Sequence, residues 1–95
     1  MPDRIRLMDE HYSDWPVWTD FEGQENRPEW GFSADLVRDL KFWALDFEAH
    51  YSHITGWKTQ SHRENHVAEG QRLQADIQTA VGSNFYVELV VMTND

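Results

Sequence analysis

Alternating polar and apolar residues predict strands at both ends of the chain. Residues 4–8 alternate, with Ile5 and Leu7 on one side, which is the period of a half-buried β-strand. Residues 17–21 predict a shorter second strand that forms a hairpin with the first. Residues 84–93 are rich in β-branched and aromatic side chains and predict the longest strand. That strand is apolar on both faces, so we expect both faces to be covered.

The spacing of apolar residues predicts a first amphipathic helix in the middle of the chain. Ser33 is a favourable N-cap for this helix, and Gly56 is expected to end it. Apolar side chains recur at steps of three and four over about five turns. This stripe consists of Leu36, Leu40, Trp43, Phe47, Tyr51 and Ile54.

A second amphipathic helix is predicted to open near His62 and to end at Gly82. Its start is inferred from Ser61 and Glu64, which have the spacing of a capping box. Its stripe consists of Val67, Gly70, Leu73, Ile77, Ala80 and Val81. A glycine inside a helix costs about 1 kcal/mol relative to alanine. We therefore expect a bulky neighbour to press close to it, with Trp43 as the candidate.

These elements predict an α+β fold of order β-α-α-β. An antiparallel two-helix hairpin packs on a small antiparallel sheet, and a long aromatic and acidic loop follows the first strand. The helix hairpin is expected to return the chain so that the last strand runs antiparallel to the first. On the far face of the sheet, Arg6 is expected opposite or diagonal to Glu88. We interpret residues 1–95 as a single domain.

The composition excludes several classes of function. The chain has no cysteine, which excludes a disulfide framework and a thiolate zinc site and fits a reducing compartment. It has no apolar run typical of a signal peptide or a membrane span, so we expect a cytoplasmic location. Seventeen acidic and eight basic residues give a formal net charge of −9, which repels phosphate backbones and anionic lipids. We expect neither nucleic-acid nor membrane binding.

Much of the negative charge lies in residues 9–29. This segment carries seven carboxylates and one arginine, or −6 of the net −9, and has no clear helical period. Carboxylates steer encounters with basic partners, and tryptophans are typical interface anchors. The candidate partner-binding residues are Asp14, Trp15, Trp18, Asp20, Glu22, Glu25, Glu29 and Trp30. The alternative is that the tryptophans form a lid over the small sheet.

Four histidines suggest a second kind of site. His50 and His53 lie at the end of the first predicted helix, and His62 and His66 lie at the start of the second. In a helix hairpin these ends are neighbours, and each spacing presents two imidazoles on one face. The four are therefore candidate ligands of a divalent metal. The alternative is that they are solvated residues at helix ends.

No catalytic motif accompanies these features. The sequence has no G-x-S-x-G, no glycine-rich phosphate loop and no H-E-x-x-H. A domain of this size also rarely has room for a substrate pocket. We therefore predict that the protein is not an enzyme and needs no cofactor, apart from the candidate metal.

Five strings carry a resemblance to known proteins: I-R-L-M, W-P-V-W, D-L-V-R-D-L-K-F-W-A-L-D-F-E, E-G-Q-R-L and V-G-S-N-F-Y-V-E-L. Together they resemble a set of small, acidic, tryptophan-bearing bacterial proteins of unassigned function. In size, acidity and aromatic content, the chain is also similar to immunity proteins that neutralise bacterial toxins. The resemblance covers most of the chain and implies no active site.

The leading hypothesis is an acidic protein-binding module, of the immunity or inhibitor kind, that docks on a basic partner through residues 9–32. One alternative is a small metal-binding domain that uses the histidines at the end of the helix hairpin. Another is a homodimer formed by pairing the apolar C-terminal strand across a two-fold axis.

Overall fold

The computed structural model describes residues 3–10, 15–20, 23–24 and 26–91. In chain order the elements are β1 (Asp3–Met8), β2 (Val17–Thr19), β3 (Gly23–Gln24), α1 (Ala34–His50), β4 (Tyr51–Ser52), β5 (Gly56–Trp57), α2 (Gln60–Val81) and β6 (Phe85–Val90). Within these residues, four strands form a mixed sheet of order β3-β2-β1-β6, and β4 and β5 form a small hairpin. The two helices pack on the sheet, which confirms the α+β class.

The direction of the last strand differs from the prediction. β2 is antiparallel to β1, with Ile5 opposite Thr19, as the predicted hairpin requires. β6, however, is parallel to β1, with Ile5 opposite Val87, so the predicted antiparallel pairing is wrong. β2 carries the chain back toward the start of β1, and the short 3-10 turn before α1 places Trp30 against Phe85 at the start of β6. The helix hairpin therefore begins and ends at that end of the sheet.

The core lies between the helices and the inner face of the sheet. Its buried members are Ile5, Leu7, Val17, Trp30, Leu36, Leu40, Trp43, Leu73, Ile77 and Val87. Phe85, Leu89 and Val91 pack against this cluster from β6 and the residue after it. A Cβ atom added to Gly70 would lie 3.2 Å from the Trp43 ring, which confirms the predicted close approach. Burial of this apolar surface is the main force that holds the helices on the sheet.

The first helix begins as predicted and ends earlier. The Ser33 hydroxyl accepts a hydrogen bond from the Leu36 amide at 3.1 Å, so Ser33 is the N-cap. α1 ends at His50 and not at Gly56, which has a φ of 78° and lies in β5. Ile54 is 81% exposed and belongs to the turn of the β4–β5 hairpin, not to the helical stripe.

The packing of aromatic rings explains this early end. Tyr51 pairs with Trp57 across the small hairpin, and the two ring centroids lie 5.4 Å apart. Both rings also contact Phe47 on the last turns of α1, at 4.8 and 5.9 Å. Folding residues 51–57 back on themselves brings these three rings together. This tertiary contact outweighs the helical period that continues through residue 51.

The second helix also starts earlier than predicted. Its N-cap is Thr59, whose hydroxyl accepts from the His62 amide at 3.1 Å, so the predicted capping box at Ser61 is wrong. α2 ends at Val81, and Gly82, with a φ of 74°, is its C-cap, as predicted. Its buried residues are His66, Gly70, Leu73 and Ile77. His66 thus occupies a core position, while Ala80 of the predicted stripe is exposed. Among the described residues, no helix is long and apolar enough to cross a membrane.

Candidate functional site

The outer face of the sheet is the surface that points away from both helices. It is formed by the residues that alternate with the core positions of β1, β2 and β6. We define this outer face by Arg4, Arg6, Met8, Trp18, Tyr86, Glu88 and Val90. Arg6 lies opposite Glu88, as predicted, although the strands are parallel. Trp18 is half-buried and Tyr86 is 46% exposed, so the face presents aromatic surface together with charge.

The charges on the outer face are paired with one another. Arg4 Nη2 donates to Asp20 Oδ1 at 2.9 Å, and Arg4 Nη1 lies 3.6 Å from Glu88 Oε2. Arg6 Nη2 lies 3.7 Å from the same oxygen of Asp20. The hydrogen bond from Arg4 holds the pKa of Asp20 below its ordinary value, and the same bond raises the pKa of Arg4. Both cations therefore lie near carboxylates at the rim of the face.

The three tryptophans of the acidic segment are divided between core and surface. Trp30 is 2% exposed and packs against Phe32 and Phe85, with ring centroids 5.5 and 6.0 Å away. Its ring is therefore part of the lid over the core. Trp15 is half-buried and also packs against the core. Trp18 lies on the outer face, where its indole N–H donates to the Met8 carbonyl at 3.2 Å.

The candidate carboxylates are also divided. Asp20 and Glu29 are exposed, while Asp14, Glu22 and Glu25 lie outside the described residues. Asp9, which contributes to the charge of the segment, is buried instead of lying on the surface. Among the candidates, the structure places Trp18 and Asp20 together, at the outer face and its rim. Sequence reasoning did not include Arg4 and Tyr86 in this surface, although both alternate with core residues in their strands.

Asp9 is buried against His66, which is 1% exposed. His66 Nε2 lies 2.8 Å from Asp9 Oδ2, and His66 Nδ1 lies 3.0 Å from Asp46 Oδ2. Both ring nitrogens of His66 are thus engaged by carboxyl groups. Since Asp9 follows β1 and Asp46 lies near the end of α1, this network joins three elements. Sequence reasoning missed it because its members are separated along the chain by as many as 57 positions.

Aromatic rings enclose the buried imidazole. The Trp43 ring stacks on His66 with a centroid distance of 4.3 Å, and Trp57, in the hairpin that precedes α2, lies 4.8 Å away. Trp43 Nε1 donates to the backbone carbonyl of His66 at 2.9 Å. The ring is thus held by hydrogen bonds at its two nitrogens and by stacking on its face. This arrangement fixes the ends of the helices relative to β1.

The structure does not bring the four histidines to one point. His50 and His62 stack with centroids 4.0 Å apart, and His50 Nδ1 lies 3.0 Å from Asp46 Oδ1. His66 uses both ring nitrogens in the buried network, and His53 lies exposed in the turn of the small hairpin. In the described part of the chain, no group of three or more His, Cys, Asp or Glu residues is arranged to hold a metal ion. The predicted convergence of the four imidazoles is therefore wrong.

The helical side of the molecule has a different electrostatic pattern. Arg72 on α2 donates to Asp39 of α1 at 3.1 Å and to Glu69 and Asp76 of its own helix at 2.6 and 3.0 Å. The hydrogen bond that Arg72 donates to Glu69 is the largest cause of the raised pKa of Arg72, and the bond that Arg72 donates to Asp39 lowers the pKa of Asp39. Arg72, Asp39 and Asp76 line an open hollow of about 510 Å³. The pairing ties α1 to α2.

The chain is a small acidic α+β domain with one sheet face turned away from its helices. The family model described as Serratia CdiI immunity protein-like matches residues 3–91, and the chain belongs to this family. Its members are contact-dependent inhibition immunity proteins, which bind and neutralise a cognate CdiA toxin domain and are generally not enzymes. No curated protein matches the chain. The family assignment confirms the resemblance to bacterial immunity proteins.

Proposed function

We propose that this chain neutralises a cognate CdiA toxin domain by docking on it through the outer face and the adjoining part of residues 9–32. The family match over residues 3–91 is the observation that carries the immunity function. We choose the outer face because the helices pack on the inner face of the sheet, so the outer face is turned away from them. Immunity then results from occlusion of a functional surface of the toxin, with no covalent step.

The aromatic residues of the outer face support this choice. Interfaces are anchored by a few large side chains, and tryptophan and tyrosine are enriched among them. Trp18 and Tyr86 lie on the two strands that flank β1, where Trp18 is opposite Arg6 and Tyr86 is opposite Arg4. A partner that covers this face would desolvate both rings without disturbing the core on the inner side.

The charge of the chain supports a basic partner. The net charge of −9 favours encounter with a cation-rich surface, and Asp20 and Glu29 are exposed in the segment beside the outer face. Arg4 and Arg6 neutralise part of this charge in the isolated protein. A lysine or arginine of the toxin can join or replace them at Asp20 and Glu88.

The direct test is binding of the purified toxin domain, measured at low and moderate salt, together with a growth assay in cells that express the toxin. We expect Tyr86→Ala and Trp18→Ala to speed dissociation and Asp20→Lys to slow association. Phe42→Ala is the matched control, because Phe42 is a 61% exposed aromatic residue on the helical side. Glu64→Lys on α2 is the corresponding control for charge.

The results distinguish an error in the proposed docking surface from an error in the proposed function. If Phe42→Ala weakens binding and Tyr86→Ala does not, the toxin docks on the helical side and the proposed surface is wrong. If the wild-type chain neither binds nor protects against its cognate toxin domain, the proposed function itself is wrong. An association rate that does not change with salt would contradict the electrostatic part of the proposal.

A further inference from the structure

β6 is an edge strand, and side chains of α2 bond some of its outward backbone groups. It pairs with β1 on one side, and within the described residues no strand pairs with its other side. In a parallel ladder the N–H and C=O of one residue point the same way, and successive residues alternate. The N–H and C=O groups of Val87 point outward, where they bond side chains of α2. Phe85 and Leu89, two residues away on either side, therefore also point their backbone groups to this outer edge.

Two glutamines of α2 supply the partners. The Gln78 amide accepts from Val87 N–H at 3.0 Å and donates to Phe85 C=O at 2.9 Å. These two backbone groups flank Tyr86 and are the pair that one residue of a parallel neighbouring strand would bond. Gln74 Nε2 donates to Val87 C=O at 2.8 Å, at the next position along the edge. The side-chain amides therefore take the place of part of a fifth strand.

The spacing of the two glutamines on α2 matches the spacing of the outward backbone groups on β6. Four residues of an α-helix advance about 6.0 Å, and two residues of a strand advance about 6.6 Å. Since α2 and β6 run in opposite directions, Gln78 can therefore bond Phe85, and Gln74, one turn earlier in the helix, can bond Val87. The next position in this series is Gly70, which has no side chain to offer Leu89. The capping of the edge therefore stops before Leu89.

Without these amides the edge would be a strong pairing surface. Native edge strands are commonly protected by proline, lysine, bulges or a covering element. β6 has the sequence F-Y-V-E-L-V, with neither proline nor lysine and with Glu88 as its one charged residue. Its high β-propensity and low charge are typical of segments that add to other strands. Protection must therefore come from outside the strand.

We propose that Gln74 and Gln78 form a clamp that keeps β6 from pairing with β6 of a second copy of this chain. The self-complementary arrangement is antiparallel and centred on Val87, so that the outward groups of Val87 pair with their own symmetry mates and Phe85 pairs with Leu89. In this register Glu88 faces Tyr86 of the second copy and not another Glu88. The arrangement therefore avoids opposing like charges and uses the backbone groups that the clamp now occupies.

The test replaces both glutamines by methionine, which keeps the length of the side chains but removes their amides. Gln71→Met is the matched control, because Gln71 is an exposed glutamine on the same helix. Each protein is measured by light scattering over a wide concentration series, and amide hydrogen exchange is recorded at Val87 and Leu89. Circular dichroism and a urea melt establish that each variant is folded.

We expect the wild type and Gln71→Met to remain monomeric. The double variant is expected to double its mass as concentration rises, to exchange Val87 N–H faster than wild type while monomeric, and to protect Val87 and Leu89 in the dimer. A folded double variant that stays monomeric with unchanged exchange at Val87 overturns the proposal. If the double variant does not fold, Gln78→Met alone must show the faster Val87 exchange, and unchanged exchange there overturns the proposal equally. None of these outcomes depends on toxin binding.

Discussion

Replacement of His66 by alanine is the sharpest test of the buried network. The imidazole lies between two carboxylates, at 2.8 Å from Asp9 and 3.0 Å from Asp46, and the side chain of Asp9 is fully buried. His66→Ala takes this partner away from an Asp9 side chain that has no access to solvent. It also removes a ring that stacks on Trp43. We therefore expect a large loss of stability.

The size of this loss in the free energy of unfolding is estimated from the burial of the His66 side chain. Loss of one partner by a buried hydrogen-bonded group costs about 1–3 kcal/mol, and truncation of a buried ring adds a packing cost of similar size. Domains of this kind are stable by only about 5–15 kcal/mol in total. We expect a loss of about 4 kcal/mol, which at a urea m-value of about 2 kcal/mol/M lowers the unfolding midpoint by about 2 M. This figure includes loss of the ring contacts that His66 makes with Trp43 and Trp57.

Urea unfolding followed by tryptophan fluorescence measures the effect, because Trp43 and Trp57 both contact the imidazole. His62→Ala is the control. Its ring stacks on His50 outside the core, so we expect a change within about 0.5 kcal/mol. A double-mutant cycle with Asp9→Ala isolates the pair, and we expect a coupling free energy of about 1 kcal/mol or more.

A loss below about 1 kcal/mol for His66→Ala would refute this reasoning, because loss of a buried hydrogen-bond partner together with a buried ring costs more than that. A coupling near zero in the cycle would show that Asp9 is satisfied independently of His66. A destabilisation by His62→Ala as large as that by His66→Ala would place the energetic centre of the histidine cluster at the stacked pair.

Three further predictions concern packing, pH and metal. Gly70→Ala should lower the free energy of unfolding in urea by about 1 kcal/mol: the new methyl would lie 3.0 Å from Leu89 and 3.2 Å from Trp43, and overpacking outweighs the gain in helix propensity. Asp20→Asn should lower stability at neutral pH. Its difference from wild type should vanish in acid titration, because the bond from Arg4 holds the pKa of folded Asp20 below its ordinary value and the stabilisation is lost as the pH falls through this lowered pKa. The calorimetric melting temperature should be the same with EDTA or added zinc, since the buried imidazole already bonds carboxylates through both nitrogens; a shift with zinc would restore the metal hypothesis.

The sequence by itself determined the elements whose signals are local. Strand alternation placed β1, and the N-cap Ser33 placed the start of α1. Gly82 placed the end of α2, since a positive φ there is a property of that one residue. Gly70, a glycine in the middle of a helical stripe, indicated a close neighbour on that face. Each of these inferences needs only the residues within one or two turns.

Tertiary structure alone decided what depends on distant partners. The direction of β6 follows from the return of the chain through β2, and the early end of α1 follows from ring packing with Trp57. The pairing of His66 with Asp9 spans most of the chain, so no local pattern reports it. The clamp on β6 likewise requires α2 to lie along the strand before Gln74 and Gln78 can reach it. Local propensity selects elements, but contacts between elements select their direction, their ends and the partners of their polar groups.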